Sequence, residues 1–440
     1  MPAIERPPDV LRVEPARAIR GRAQIPGDKS ITHRAFFLGG LARGMTRVRN
    51  PNPGLDCQAT LAAMQALGAQ VTWLADEVQL TGVAGECQEP AGTLDCGNSG
   101  TSLRLLTGIL AGGPGIGILT GDRSLCARPM QRVIEPLVKM GAQIWSRQGG
   151  HAPLAVRGGH LKGLDYTLPV ASAQVKSAIL LAGLSARGRT TVREPLPSRD
   201  HLERMLVQFG AEVVRAQGPG QSQVATLQGG TRLEATVVDV PGDPSAAAFY
   251  LVAGLILPDS EVTIEQVAMN PSRRAMIDTL IAMGGEIEVR GLTEEAPEPV
   301  ATVVARSSRL AGIAVGGGEI PALIDELPIL AVAGAYASGT TVVGDAAELR
   351  VKESDRIHAI CRLLSECGVR VEERADGFAV HGGTQPAAAQ VDAAGDHRMA
   401  MAAAILALGA AGPIEIHGAG AIGTSFPDFV AELARVRVER

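Results

Sequence analysis

Pro26-Gly27-Asp28-Lys29-Ser30-Ile31-Thr32-His33-Arg34 is the stretch from which the fold unfolds: a proline-glycine turn that delivers a lysine, a serine and an arginine to the first turns of a helix. A helix start offers free backbone N–H groups and the positive end of the macrodipole, so Lys29, Ser30 and Arg34 there suit a phosphate. The stretch is not a Walker A loop, because Asp28 separates Gly27 from Lys29 and no glycine stands at the required upstream position. An N-capped surface helix with chance basic residues would look similar in isolation. The stretch is not isolated, since Val240-Pro241-Gly242-Asp243-Pro244-Ser245 repeats its opening in the second half of the chain.

That echo belongs to a longer repeat. An Ala/Leu-rich helix, a glycine, a β-branched strand, a polar loop, a second helix and a strand starting after Gly-Ala or its equivalent recur along the chain. The markers are Gly68-Ala69, Gly141-Ala142, Gly210-Ala211, Gly284-Gly285 and Gly368-Val369, and a last copy from Asp396 ends near Arg435 without the glycine. The central strands read Thr46-Arg47-Val48, Ile116-Gly117-Ile118-Leu119, Thr190-Thr191-Val192, Glu261-Val262-Thr263-Ile264, Thr340-Thr341-Val342-Val343 and Ile414-Glu415-Ile416. Six α/β units that each leave a face unburied must pack on one another, and two groups of three is the natural partition. The Val240–Ser245 run is the break. The strand-like Val10-Leu11-Arg12-Val13 is expected to join the second group, giving one domain of residues 1–24 with 242–440 and another of residues 25–241, hinged at the two chain crossings.

Composition narrows the function. Hydrophobic residues are 46% of the 440 but aromatics only 3%, so small aliphatic residues must fill the core. A net charge of −5 argues against nucleic acid as the main partner. The six cysteines show no C-x-x-C pair and no zinc spacing, which reads as a reduced, cytoplasmic protein without a metal site. No uninterrupted apolar run reaches membrane-spanning length, and the N-terminus carries no signal-like apolar region. Only five lysines stand against 36 arginines, and three of them fall in the motifs below, where a compact ammonium is wanted.

Polar residues cluster at the start of the first helix of a unit or after its central strand. The first kind comprises Lys29-Ser30 with Arg34, Gly97-Asn98-Ser99-Gly100-Thr101 with Arg104, Ser172-Ala173-Gln174 with Lys176, Asp325-Glu326 and Asp396-His397-Arg398. The second comprises Asp122-Arg123 with Arg128, Ser198-Arg199-Asp200-His201 and Arg350 to Arg356. In a pseudo-threefold arrangement these ends converge on a positive cleft for phosphate and carboxylate groups. Asp325 and Glu353 among those cations could serve as general base and acid. Plainer readings stand beside these: Arg350 to Arg356 as an exposed salt-bridged helix start, Asp396 as a cap with a solvated Arg398, His33 and His201 as structural, Cys126 as a bystander, and Gly112 to Gly117 as a turn, since it follows a helix and precedes a strand.

PGDKSITHR, GNSGTSLR, GDxSLxxRPM, SAQVKSAILLAGL, PALIDELPILAVAGA, LRVKESDR and GDHRMAMA, in this order over nearly the whole chain, resemble the 3-phosphoshikimate 1-carboxyvinyltransferase (EPSP synthase) family. The forms GDKS, SAQxK and Arg199-x-His201-x-Glu203 resemble its class II subgroup. The resemblance implies a two-domain inside-out α/β barrel that moves the enolpyruvyl group of phosphoenolpyruvate to the 5-hydroxyl of shikimate 3-phosphate and releases phosphate. It implies no metal, no cofactor and a monomer. Carried over by position, Lys29, Ser30, Arg34, Ser172, Ala173, Gln174, Ser198, Arg199, Asp325 and Lys352 would contact shikimate 3-phosphate. Lys29, Asn98, Gly100, Arg128, Gln174, Arg356 and Arg398 would hold phosphoenolpyruvate. Asp325 would take the hydroxyl proton, Glu353 would protonate the methylene carbon, and Lys29 would touch both substrates. The chain departs from class I at Thr424, where that class has a lysine, and at Glu348, where it has an asparagine. The enolpyruvyl transferase that acts on UDP-N-acetylglucosamine differs in having Lys-Asn for Lys29-Ser30 and a cysteine where this chain has Arg123. A non-catalytic anion-binding repeat protein would gain nothing from acids among its cations.

Overall fold

Gly141 and Gly210 follow the helices Gln131–Met140 and His201–Gln208 with φ of 114° and 85°, the left-handed region that L side chains avoid. The next N–H in each case reaches back into the helix, from Ala142 to the Leu137 carbonyl and from Ala211 to the Leu206 carbonyl, and so ends it. Gly68, Gly284 and Gly368 do the same in their repeats, which is why one glycine marks every hairpin that follows.

The structure is a computed structural model describing residues 7–294 and 297–439. It divides into two units, Lys29–Val240 and the residues from Pro241 on with the segment up to Asp28. Each repeat supplies an inner helix, a central strand, an outer helix and, in five of the six, a hairpin. The six central strands lie where the β-branched runs placed them, at Met45–Arg49, Ile116–Thr120, Arg189–Glu194, Glu261–Ala268, Thr340–Val343 and Ile414–His417. Each pairs in parallel on one side, as in Asp165↔Thr191, and most pair antiparallel with their own hairpin on the other, as in Thr190↔Leu227. The sixth repeat has no hairpin. Val10–Val13 takes its place against Ile414–His417, from Val10↔His417 to Val13↔Ile414. Ala16–Ala23 then lies between Glu261–Ala268, in parallel, and the C-terminal strand Arg437–Glu439.

Inside each unit stand three helices: Lys29–Leu41, Gly100–Gly112 and Ala173–Ser185 in the first, Pro244–Ile256, Leu327–Tyr336 and His397–Leu408 in the second. Apart from the polar residues of their first turns they are largely apolar and buried on every face, with unbroken buried runs such as Val175–Leu184 and Pro244–Leu255. Sheets therefore form the outside and helices the inside, the inside-out α/β arrangement. Small residues let the inner helices touch backbone to backbone: a Cβ on Gly108 would stand 2.2 Å from the Ala178 carbonyl oxygen. The second unit also gathers four of the scarce aromatics, with Phe249 and Phe429 ring centroids 6.0 Å apart and Tyr250 and Phe426 beside them, so rings as well as aliphatics fasten its C-terminal segment.

These two kinds of glycine carry different costs. A Cβ on Gly210 meets nothing within 4 Å, so Gly210→Ala should lose only the left-handed backbone penalty, about 1–2 kcal/mol. Gly108→Ala must separate a pair of packed helices and should lower the denaturant midpoint further than Gly210→Ala. Equal shifts would contradict the close helix approach.

Candidate functional site

Four of the inner helices begin with short polar side chains that cap them. Ser99 accepts from the Ser102 N–H, Ser172 from Val175, Asp243 from Ser245 and Asp396 from Arg398. The caps fix the backbone at the positions where sequence places the site.

In the Lys29–Val240 unit, Lys29 Nζ sits 3.0 Å from Asp56 Oδ2, a partner the sequence gives no hint of. Arg199 Nη1 donates to Ser30 Oγ at 3.2 Å, joining two predicted residues from distant repeats. Arg34, only 2% exposed, donates to the Ser30 carbonyl and to Ser177 Oγ, at 2.9 Å each. Arg128, also buried, donates to Asn98 Oδ1 at 2.7 Å, and Asn98 donates in turn to Asp122 at 2.7 Å. Gln174 accepts from Arg104 Nη1 at 2.7 Å and donates to Thr101 Oγ1 at 2.9 Å. Arg104, which sequence groups with the cleft motifs but to which the resemblance assigns no substrate, lies one helical turn from Gly100. A Cβ on Gly100 would stand 2.6 Å from Arg104 Nη1 and 3.1 Å from Arg128 Nη1, so even a methyl group there presses on both guanidiniums. Ala173 opens its helix beside the Ser172 cap.

In the second unit, Arg356 is 1% exposed and gathers three carboxylates. Its Nε donates to Asp396 Oδ2 at 2.7 Å, its Nη2 to Glu353 Oε2 at 2.6 Å and its Nη1 lies 3.4 Å from Asp325 Oδ1. Arg398 Nη1 donates to the Asp325 carbonyl at 2.9 Å while its Nη2 is 3.9 Å from Asp325 Oδ2. Lys352 Nζ lies 3.9 Å from Asp325 Oδ1. The carboxylates hold the Arg356 guanidinium, despite its burial, above the ordinary arginine value. Lys352 goes the other way: burial lowers its ammonium, Asp325 opposes this, and Arg356 adds to the lowering. Both readings of Arg350 to Arg356 apply, to different residues, since Arg350 pairs with Asp355 and Glu373 at the surface. Asp396 does cap its helix, but Arg398 is 7% exposed and not solvated.

Lys176, grouped by sequence with the cations of the cleft, belongs elsewhere: it is buried between Glu194 and Glu203 at 2.7 and 2.8 Å. His33 is buried against Thr60 Oγ1 at 2.7 Å, and burial, then Lys29 and Arg34, lower it well below the ordinary histidine value, in keeping with a structural role. Cys126 Sγ lies 3.3 Å from the Gly121 carbonyl. Burial pushes the Cys87 thiol up to about 11 and those of Cys361 and Cys367 to about 12. Among the described residues no cluster of side chains could hold a metal ion.

The family model described as EPSP synthase (3-phosphoshikimate 1-carboxyvinyltransferase) matches residues 13–433. The chain belongs to the EPSP synthase family. It is 51% identical over 432 residues to a 3-phosphoshikimate 1-carboxyvinyltransferase of Synechococcus sp., covering 97% of each chain. A protein of the same name from Gloeobacter violaceus is 49% identical, covering 97% of this chain and 98% of its own. A solved EPSP synthase from Acinetobacter baumannii superposes with a TM-score of 0.85 at 40% identity, covering 98% of each chain.

With only five lysines, the titration of Lys352 is separable by NMR of reductively ¹³C-methylated protein. It should titrate below the lysine norm and below Lys139, which Glu135 raises. Asp325→Asn removes an upward pull and should lower Lys352 further. An unchanged or higher value would show that Asp325 does not act on it.

Proposed function

We propose that the chain transfers the enolpyruvyl group of phosphoenolpyruvate to the 5-hydroxyl of shikimate 3-phosphate and releases inorganic phosphate, a step of the shikimate pathway toward aromatic amino acids. Family membership and the relatives' names support the reaction. The observation that carries the mechanism is that one buried guanidinium holds Asp325 at 3.4 Å and Glu353 at 2.6 Å, so a base and an acid are set in fixed relation.

Asp325 takes the proton of the 5-hydroxyl as its oxygen attacks C2 of phosphoenolpyruvate. Glu353 delivers a proton to the methylene carbon, giving a tetrahedral addition intermediate. Glu353 then takes back a methyl proton, re-forming the double bond as the C–O bond to phosphate breaks, and Asp325 returns its proton to the leaving phosphate, so both groups end the cycle as they began it. Ser30, Arg34, Ser172, Ala173, Gln174, Ser198, Arg199 and Lys352 bind shikimate 3-phosphate. Asn98, Gly100, Gln174, Arg128, Arg356 and Arg398 bind phosphoenolpyruvate, and Lys29 serves both. Forked guanidiniums suit the planar carboxylate, and lysine suits phosphate as a point charge. The chain works as a monomer in the cytoplasm. No helix among the described residues is long and apolar enough to cross a membrane.

Asp325→Asn and Glu353→Gln should keep the fold and both substrates while turnover drops by about 10² or more. Phosphate release and equilibrium binding check this together. Near-normal turnover in either variant would remove that residue from its role, and turnover on UDP-N-acetylglucosamine instead would overturn the substrate.

A further inference from the structure

Ser198 and Arg199 lie on the short connection between the strand Arg189–Glu194 and the helix His201–Gln208, which has no regular structure of its own. What holds it is the carboxylate at the end of the strand. Glu194 Oε2 accepts from Ser198 Oγ at 2.6 Å and Oε1 accepts from the Ser198 N–H at 3.2 Å, so both oxygens are spent on one residue four positions on. Behind it, Lys176 Nζ lies 2.7 Å from Glu194 Oε1 and 2.8 Å from Glu203 Oε1, and none of the three side chains is more than 3% exposed. Burial works against the charge on Lys176, but Glu203 and Glu194 outweigh it and keep the ammonium above its ordinary value.

Two buried carboxylates on one ammonium are an expensive way to fill a core, and well-packed apolar groups of the same volume would serve stability at least as well. Apolar groups cannot offer two acceptors to Ser198. We propose that Glu194, steadied by Lys176 and Glu203, is a positioning residue for the phosphate of the shikimate substrate. It fixes the 195–200 connection so that Ser198 and Arg199 meet that group without ordering the chain at the moment of binding. When the phosphate draws the Ser198 hydroxyl proton, the Ser198 N–H bond to Glu194 still anchors the connection. The inference rests on the assignment of Ser198 and Arg199 to shikimate 3-phosphate.

The test is steady-state kinetics of the full chain carrying Glu194→Ala, Glu194→Gln, Ser198→Ala or Glu194→Ala with Ser198→Ala. Removing Glu194 leaves Lys176 paired with Glu203, so the buried charges stay balanced, and Glu194→Gln supplies a milder variant with one acceptor. Glu194→Ala should raise the KM for shikimate 3-phosphate about tenfold, the scale of hydrogen bonds to a charged group, with kcat and the phosphoenolpyruvate KM within about twofold. Glu194→Gln should fall between it and the parent. The effects of Glu194→Ala and Ser198→Ala should not multiply in the double variant. An unchanged KM for shikimate 3-phosphate in Glu194→Ala, equal rises in both KM values, or full multiplication would overturn the proposal. If Ser198→Ala alone leaves that KM unchanged, the assignment of Ser198 fails and the proposal falls with it.

Discussion

Arg356 is the constraint on which the second unit's cluster of charges depends. A guanidinium 1% exposed is tolerable only when paired, and this one is shared by Asp396, Glu353 and Asp325. Three carboxylates exceed one cation, and Lys352 and Arg398, each 3.9 Å from Asp325, supply the balance. Asp396 is fully buried and also caps the helix His397–Leu408, so the charge set is tied to backbone, not merely to other side chains. Asp325 and Glu353, the proposed base and acid, are thereby held in place by the cations around them.

The same device, one buried cation among several carboxylates, recurs where the chain needs a fixed point. Arg273 Nη2 lies 3.4 Å from Asp28 and 3.0 Å from Asp243, the aspartates of the two Pro-Gly-Asp runs. Those runs also bond to each other, Asp28 N–H to the Pro241 carbonyl at 2.7 Å and Asp243 N–H to the Pro26 carbonyl at 2.9 Å. Their likeness in sequence thus reflects a shared anchor. Arg273 donates as well to Ser245 Oγ at 2.8 Å, and Ser245 hydrogen-bonds to Glu326, next to Asp325.

What could be read from sequence was local. Glycine after a helix, β-branched runs and polar caps act within a few residues, so the repeats, central strands and inner helices were legible, and seven ordered motifs named the family. What could not be read depends on partners brought together by packing. Asp56 beside Lys29 and the pairing of Glu194 and Glu203 on Lys176 carry no local signal. Lys176 was misplaced because a motif lysine looks like a cleft cation until two carboxylates from later in the chain enclose it. The missing hairpin of the sixth repeat showed only as a missing glycine, and the strand that fills its place comes from the far end of the chain.

If the forked geometry of Arg356, and not merely its charge, sets the acid and the base, then lysine cannot replace it, since a single ammonium cannot reach three carboxylates in the same directions. The most direct measurement is turnover of folded Arg356→Lys protein at saturating substrates. A loss of about 10² or more is the result expected when acid/base positioning is lost, and turnover near that of the parent would contradict the account.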